Sequence, residues 1–234
     1  MRDDKGLHTL SEDALGFGVA ELKTARDVMI SPRTVLEAWM TEGPTGGGRY
    51  ARPLRLYLVL NAVLMLILFL RGGAGAMLNS LPPEVITGLI EQSGKSRDAF
   101  IADADGWMTL VLVPILSACY ALGAAPLMRW WDEEDLGWRR GFRAAFGWLC
   151  AWTVPITPLS WWAYNSGAVA SWIALAIFIL GIVTFMRMGG GRWYQTPIVG
   201  LLKGIVLAVT MQIMGAIGMI PILAIGLLAG VYGV

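Results

Sequence analysis

The hydrophobic pattern of this chain changes character once, near residue 50. Before it, apolar residues are periodic. From Leu15 onward, Leu15, Val19, Leu22 and Met29 recur at helical spacing, with Glu21, Lys23, Arg26 and Asp27 between them. That spacing predicts an amphipathic helix carrying charges of both signs. Ser31-Pro32 then restarts the chain, with the serine expected to cap a new helix and the proline tolerated at its first position. A short second helix follows over 33–40, with Val35, Leu36 and Trp39 on one side. Two helices of this size cannot enclose a core of their own. Residues 14–40 are therefore expected to lie on a membrane surface or on a helix bundle. Gly43-Pro44 and Gly46-Gly47-Gly48 end the second helix.

After that break the apolar residues run continuously. Arg49, Arg52 and Arg55, with Tyr50 and Tyr57, lead into the block 58–70, which Arg71 closes. Counted from Leu54 this gives about 17 helical residues, near the lower limit for crossing a bilayer core of ~30 Å. Further spans are predicted near 107–128, 144–164, 168–186 and 201–220. Between the first two lies an insert, 72–106, whose portion 84–106 is polar enough to stay outside the bilayer as two short helices. The stretch 199–234 contains one charge, Lys203, and as one helix would be about 54 Å long. A bend at Gly215, Gly218 or Pro221 is expected, leaving 222–234 as a short re-entrant or interfacial segment. The predicted fold is thus an all-α polytopic bundle of about five spans (54–71 to 201–220). An amphipathic N-terminal segment, 1–47, precedes the transmembrane bundle, 48–234.

Composition agrees with the pattern. Of 234 residues 56% are apolar, and the mean hydropathy is +0.60, above the range of soluble domains. The net charge is only +1, but its distribution orients the chain. With the N-terminus inside, Arg71, Lys95 and Arg97 are the only basic residues of the outer segments, and the other 15 of the 18 Lys and Arg fall on the cytoplasmic side. Cys119 and Cys150 sit inside apolar blocks without CxxC spacing and read as packing residues. The first 40 residues lack the short apolar run of a signal peptide, so the first span is expected to act as an uncleaved anchor.

Candidate chemistry is sparse. The run Asp132, Glu133, Glu134 and Asp135 could meet a divalent cation, which favours hard oxygen ligands. Consecutive residues on a helix diverge, however, and no second acidic cluster completes a shell. The run reads better as a solvated loop, balanced by Arg129, Arg139 and Arg140 and able to dock a basic partner beside Trp130 and Trp131. Arg49, Arg52 and Arg55 are expected to gather with Arg139, Arg140, Arg143, Arg187 and Arg192 on one side of the bilayer. Anionic lipid and the acidic run, folded back, would offset their repulsion. Asn61 and Gln212 are the polar side chains nearest mid-span; they suit hydrogen bonds between helices better than a solute path. Gly226 and Gly230 have GxxxG spacing, a hint of close helix contact. His8 is the single histidine, and no nucleophile pattern, phosphate loop, cofactor motif or metal set is present.

The segment MISPRTVLEAWMTEGPTGGGRYARPLRLYLVLNAVL resembles the entry of uncharacterised bacterial inner-membrane families similar to the Yip family. There a proline-opened short helix and a Gly/Arg/Tyr…Pro stretch precede the first span, here Pro32, Gly48, Arg49, Tyr50 and Pro53. The segment LVPILSACYAL is similar to their second span, with its early proline. The chain lacks the cysteine-rich zinc ribbon and histidine segments of some relatives. The resemblance implies a non-enzymatic accessory, scaffold or trafficking-type protein of the bacterial inner membrane, without cofactor. Its expected partners are anionic membrane lipids and other integral membrane proteins or further copies of itself, and not nucleic acid. A small transporter or channel for a neutral or lipid-like solute, lined by Asn61, Gln212, Thr153 and Thr157, is the alternative.

Overall fold

A computed structural model describes residues 18–134, 137–163 and 168–233. Among the described residues the chain is all-α. In order, its helices are α1 (Val19–Ile30), α2 (Pro32–Thr41), α3 (Pro53–Leu70), a short 3-10 helix (Ala74–Ser80), α4 (Pro83–Ser93), α5 (Arg97–Trp131), α6 (Trp138–Ala163), α7 (Ala168–Gly189) and α8 (Pro197–Tyr232). Four of these, α3, α5, α7 and α8, are long and apolar enough to cross a membrane. The chain divides into two compact units, Met1–Val63 with Ala124–Val209 and Leu64–Gly123 with Thr210–Val234.

In the first unit, α1 and α2 meet at Ser31, whose non-helical backbone (φ −135°, ψ 60°) breaks the helix. Pro32 can open the next one because the first helical turn needs no N–H there. The serine hydroxyl, expected as the cap, makes no such bond; the Ser31 N–H instead closes α1 by donating to Asp27 O at 2.8 Å. α2 buries Val35, Leu36 and Trp39 as its spacing predicts. The loop after it turns on glycines with positive φ. At Gly46 a β-carbon would lie 2.8 Å from the Tyr50 ring, so both conformation and space require glycine there.

The core of this unit is aromatic. Trp39 and Trp148 are fully buried, and the faces of Trp148 and Trp152 stack at 5.0 Å. Gly147 of α6 makes room for the Trp39 ring, which a β-carbon would meet at 3.2 Å. Of the segment 144–164, expected as the third span, residues 144–163 lie in α6, which is not among the four helices apolar enough by themselves. Residues 144–153 of α6 are buried except Phe146, which is half-buried. A helix enclosed by its neighbours does not need to be lipid-soluble around its whole circumference. Pro155 and Pro158 lie inside it without ending it. Prolines there deprive the carbonyls of Ala151 and Val154 of donors. The nearby hydroxyls serve other acceptors: Thr157 donates to Thr153 O (2.9 Å) and Ser160 to Thr157 O (2.6 Å).

In the second unit the core is aliphatic: Leu68, Leu78, Ile86, Met108, Leu112 and Ile222. Two sequence expectations change here. Residues 97–106 are not a separate short helix but the first turns of α5. Phe100, Ala104, Met108 and Leu112 form one buried stripe at four-residue spacing that runs through the expected boundary. Residues 222–233 are likewise not a re-entrant segment, because α8 stays helical through Gly215, Gly218 and Pro221 to Tyr232. The two corrections have one cause. A β-carbon on Gly226 would meet Met108 at 2.3 Å, and one on Gly230 would meet Phe100 at 2.7 Å. The start of α5 and the end of α8 therefore pack backbone to side chain, and each keeps the other helical beyond its apolar stretch. The GxxxG spacing is a real helix contact within this chain. Asp105 secures the preceding turn by accepting the Gly75 N–H.

Candidate interaction face

Contacts within the first unit bring the ends of several helices together. Arg143, early in α6, donates to Trp39 O at 2.8 Å, and Trp39 Nε1 donates to Ala51 O at 3.1 Å, just ahead of α3. Arg187, near the end of α7, donates to Met29 O and Ile30 O, the last carbonyls of α1. A cation at a helix C-terminus meets both free carbonyls and the negative end of the helix dipole. Burial, and then the neighbouring Arg139 and Arg140 charges, lower the Arg143 pKa from the ordinary arginine value.

The acidic run is an anchor. Asp132, just past α5, takes Arg192 Nε at 2.6 Å on one oxygen and Arg192 Nη2 at 3.1 Å on the other. Trp193 Nε1 adds a third donor at 3.2 Å. The Asp132 side chain is only 1% exposed, so the expected solvated loop is corrected at its first residue. Glu134 also reaches Arg192 (3.3 Å) and lies 3.6 Å from Arg140, while Glu133 accepts from Gln195 at 2.5 Å. Asp135 lies outside the described residues, as do His8 and Leu15. Beneath this pairing the Trp193 ring stacks on Phe185 at 5.3 Å, and Trp131 meets Phe185 edge-on at 5.5 Å. Lys203 donates to Trp193 O and lies 5.6 Å over the Trp131 ring.

Among the described residues, no ion pair joins the arginine collar to the acidic run. Arg49 pairs with Glu42. Arg55 Nε pairs at 2.7 Å with Glu21 Oε1, a carboxylate that is almost fully buried and also accepts the Gly18 N–H. Arg52 is exposed. The collar is thus served by carboxylates of the N-terminal segment, which lie nearer along the chain and are oriented by α1 and α2. Thr24, fully buried, accepts the Ala51 N–H at 2.9 Å and completes that seam. Glu21, Thr24 and the Arg192–Trp193 pair escape sequence reading because a polar residue on a helix or loop reveals its burial only through a partner far along the chain. The Gly18–Glu21 spacing was the one local trace, since a glutamate three residues on can reach back to the helix start.

The polar side chains expected near mid-span do not join helices. Asn61 Nδ2 donates to Tyr57 O of its own helix at 2.8 Å, and Gln212 is exposed. Among the described residues, no group of three or more His, Cys, Asp or Glu side chains could hold a metal ion.

What remains open to a partner is aromatic and basic. Trp130 is 80% exposed and Trp138 is 54% exposed. Arg129 lies 5.0 Å over the Trp138 ring. With Pro126, Asp132 and Glu133 they line an open groove of about 500 Å³. Arg139 and Arg140 are exposed in the first turn of α6. No family model, curated protein or solved structure matches the chain.

Proposed function

We propose that this chain is a non-enzymatic accessory or scaffold protein of the bacterial inner membrane, associating with other membrane proteins and with anionic lipid. The observation that carries the proposal is the groove at the end of α5. There the carboxylate Asp132 is internally neutralised, while the Trp130 and Trp138 rings are exposed. Trp and Arg dominate interface energetics because they combine large contact area with directed hydrogen bonding. The likeness of Pro32, Gly48, Arg49, Tyr50 and Pro53 to the entry of Yip-like families points the same way.

The membrane arrangement we favour has five crossings with a cytoplasmic N-terminus, α6 being the fifth crossing helix. The Asp132–Arg192 pair supports α6 as a crossing. It joins the end of α5 to the connector after α7, so if α7 crosses, α6 must return across the same thickness. In that arrangement 15 of the 18 basic residues fall on one side, in keeping with the positive-inside bias. The alternative, a small transporter or channel for a neutral or lipid-like solute lined by Asn61, Gln212, Thr153 and Thr157, draws less support, since Asn61 and Thr157 bond within their own helices and Gln212 is exposed.

Photocrosslinking from position 130 in cells, followed by mild-detergent purification, tests the proposal. A membrane protein recovered in stoichiometric amount, and lost in Trp130→Ala/Trp138→Ala, is the expected result. Repeated recovery of the chain alone would overturn it. Labelling of a cysteine at position 139 from the periplasmic side would overturn the orientation.

A further inference from the structure

α1 is amphipathic, but it is mounted with its polar side inward. Glu21, Thr24 and Val28 are buried, fixed by Arg55, by the Ala51 N–H and by packing. The opposite arc carries Val19 (58% exposed), Leu22 (58%), Met29 (47%) and Ile30 (65%). Lys23 and Arg26 lie on the same arc and are exposed. Lys23 lies 5.9 Å from the Tyr50 ring, and Arg26 pairs with the adjacent Asp27 at 2.8 Å.

Two contacts set the level at which this arc lies. Glu21, in the first turn of α1, pairs with Arg55 in the first turn of α3. Met29 and Ile30, at its other end, bond Arg187 in the last turn of α7. Both α3 and α7 are long and apolar enough to cross a membrane. α1 therefore bridges the ends of two crossing helices, where headgroups give way to acyl chains. An outward arc of four apolar side chains with two basic ones suits that layer: the apolar groups enter the acyl boundary and the cations meet phosphate.

We infer that α1 is an interfacial helix whose outward face, Val19, Leu22, Met29 and Ile30 with Lys23 and Arg26, binds an anionic lipid surface. The inference rests on the membrane-spanning reading above, and it assigns α1's outward face to lipid, where a protein partner was the other possible occupant.

The test uses the full chain in nanodiscs of phosphatidylethanolamine and phosphatidylglycerol. In a Cys119→Ser/Cys150→Ala background, fluorophores are placed by Leu22→Cys, Ile30→Cys, Glu37→Cys and Ile179→Cys, and quenched by lipids spin-labelled near the headgroup end of the acyl chain. Glu37 is exposed on α2 and Ile179 on α7. Quenching at 22 and 30 should exceed that at 37 by at least about twofold, and should fall when phosphatidylcholine replaces phosphatidylglycerol or in Lys23→Gln/Arg26→Gln. Hydroxyl-radical footprinting of the unmodified chain gives a readout free of substitution: Met29 should be shielded in nanodiscs while Trp130 is oxidised. Quenching at 22 and 30 no greater than at 37, with 179 quenched, or oxidation of Met29 as readily as Trp130, overturns the interfacial assignment and leaves the membrane reading standing. Absence of quenching at 179 as well overturns both.

Discussion

The two units of this chain solve the same problem with different materials. The first holds its helices with buried indoles and with charges that are paired one by one: Glu21 with Arg55, Asp132 with Arg192. The second is built from aliphatic side chains set against glycines, with Met108 on Gly226 and Phe100 on Gly230, and few polar tethers. Buried charges and indole N–H groups are directional, so they specify one arrangement and penalise the loss of any partner. Glycine-to-side-chain packing is non-directional and acts through distance alone. The first unit should therefore respond steeply to deletion and the second to addition.

The largest effect is expected from Trp39→Ala. It empties a fully buried site and leaves Ala51 O without its indole donor, and should cost about 3–5 kcal/mol in detergent-solubilised unfolding. Hydrogen exchange should rise in residues 18–51 and 137–152. Equal loss of protection in residues 97–112 would mean that the two regions do not differ in how they store stability.

Asp132→Ala comes next, at about 3 kcal/mol, because Arg192 and the Trp193 N–H lose a nearly buried acceptor together. Asp132→Asn, which keeps an acceptor oxygen, should lose less than half of that. Glu134→Gln, whose carboxylate is 63% exposed, should stay below about 1 kcal/mol. Denaturant midpoints read all three, and a Glu134 variant as costly as the Asp132 one would contradict the distinction drawn here between anchor and solvated loop.

In the second unit, Gly226→Val should destabilise by about 1–3 kcal/mol by forcing Met108 and the α5 backbone away. Gly88→Ala, with nothing within 4 Å, should be neutral or slightly stabilising. If both variants melt alike, close approach is not what holds the C-terminal turns of α8. Among the destabilising changes in this unit, the smaller loss belongs to Lys95→Met. Its pair with Asp103 at 2.6 Å is partly exposed, and loss should stay near or below about 1 kcal/mol, with added salt narrowing the difference.

Much of the architecture was legible because it depends on local pattern. Continuous apolar runs marked α3, α5, α7 and α8, Ser31-Pro32 marked the break between α1 and α2, and Gly43–Gly48 marked the turn before α3. The errors have a common origin. Residues 97–106 and 222–233 look too polar or too short to belong to crossing helices, and only their packing on one another extends α5 and α8. α6 looks like an ordinary span, yet its buried face depends on Trp39 and its neighbours.

The candidate site divides in the same way. Hydropathy, charge and aromatic content alone determined that this chain is helical, rich in segments long and apolar enough to cross a membrane, and basic and tryptophan-rich between them. Those properties are sums over residues and need no partner. Only the tertiary structure decided that Asp132 is an anchor, that Arg55 belongs to Glu21, and that α1 turns Leu22 and Ile30 outward. Amphipathic spacing fixes the angle between two faces of a helix but not which face meets protein. That choice went to the side whose Glu21 pairs with Arg55 and whose Thr24 accepts the Ala51 N–H, because a buried backbone donor left without an acceptor is costly.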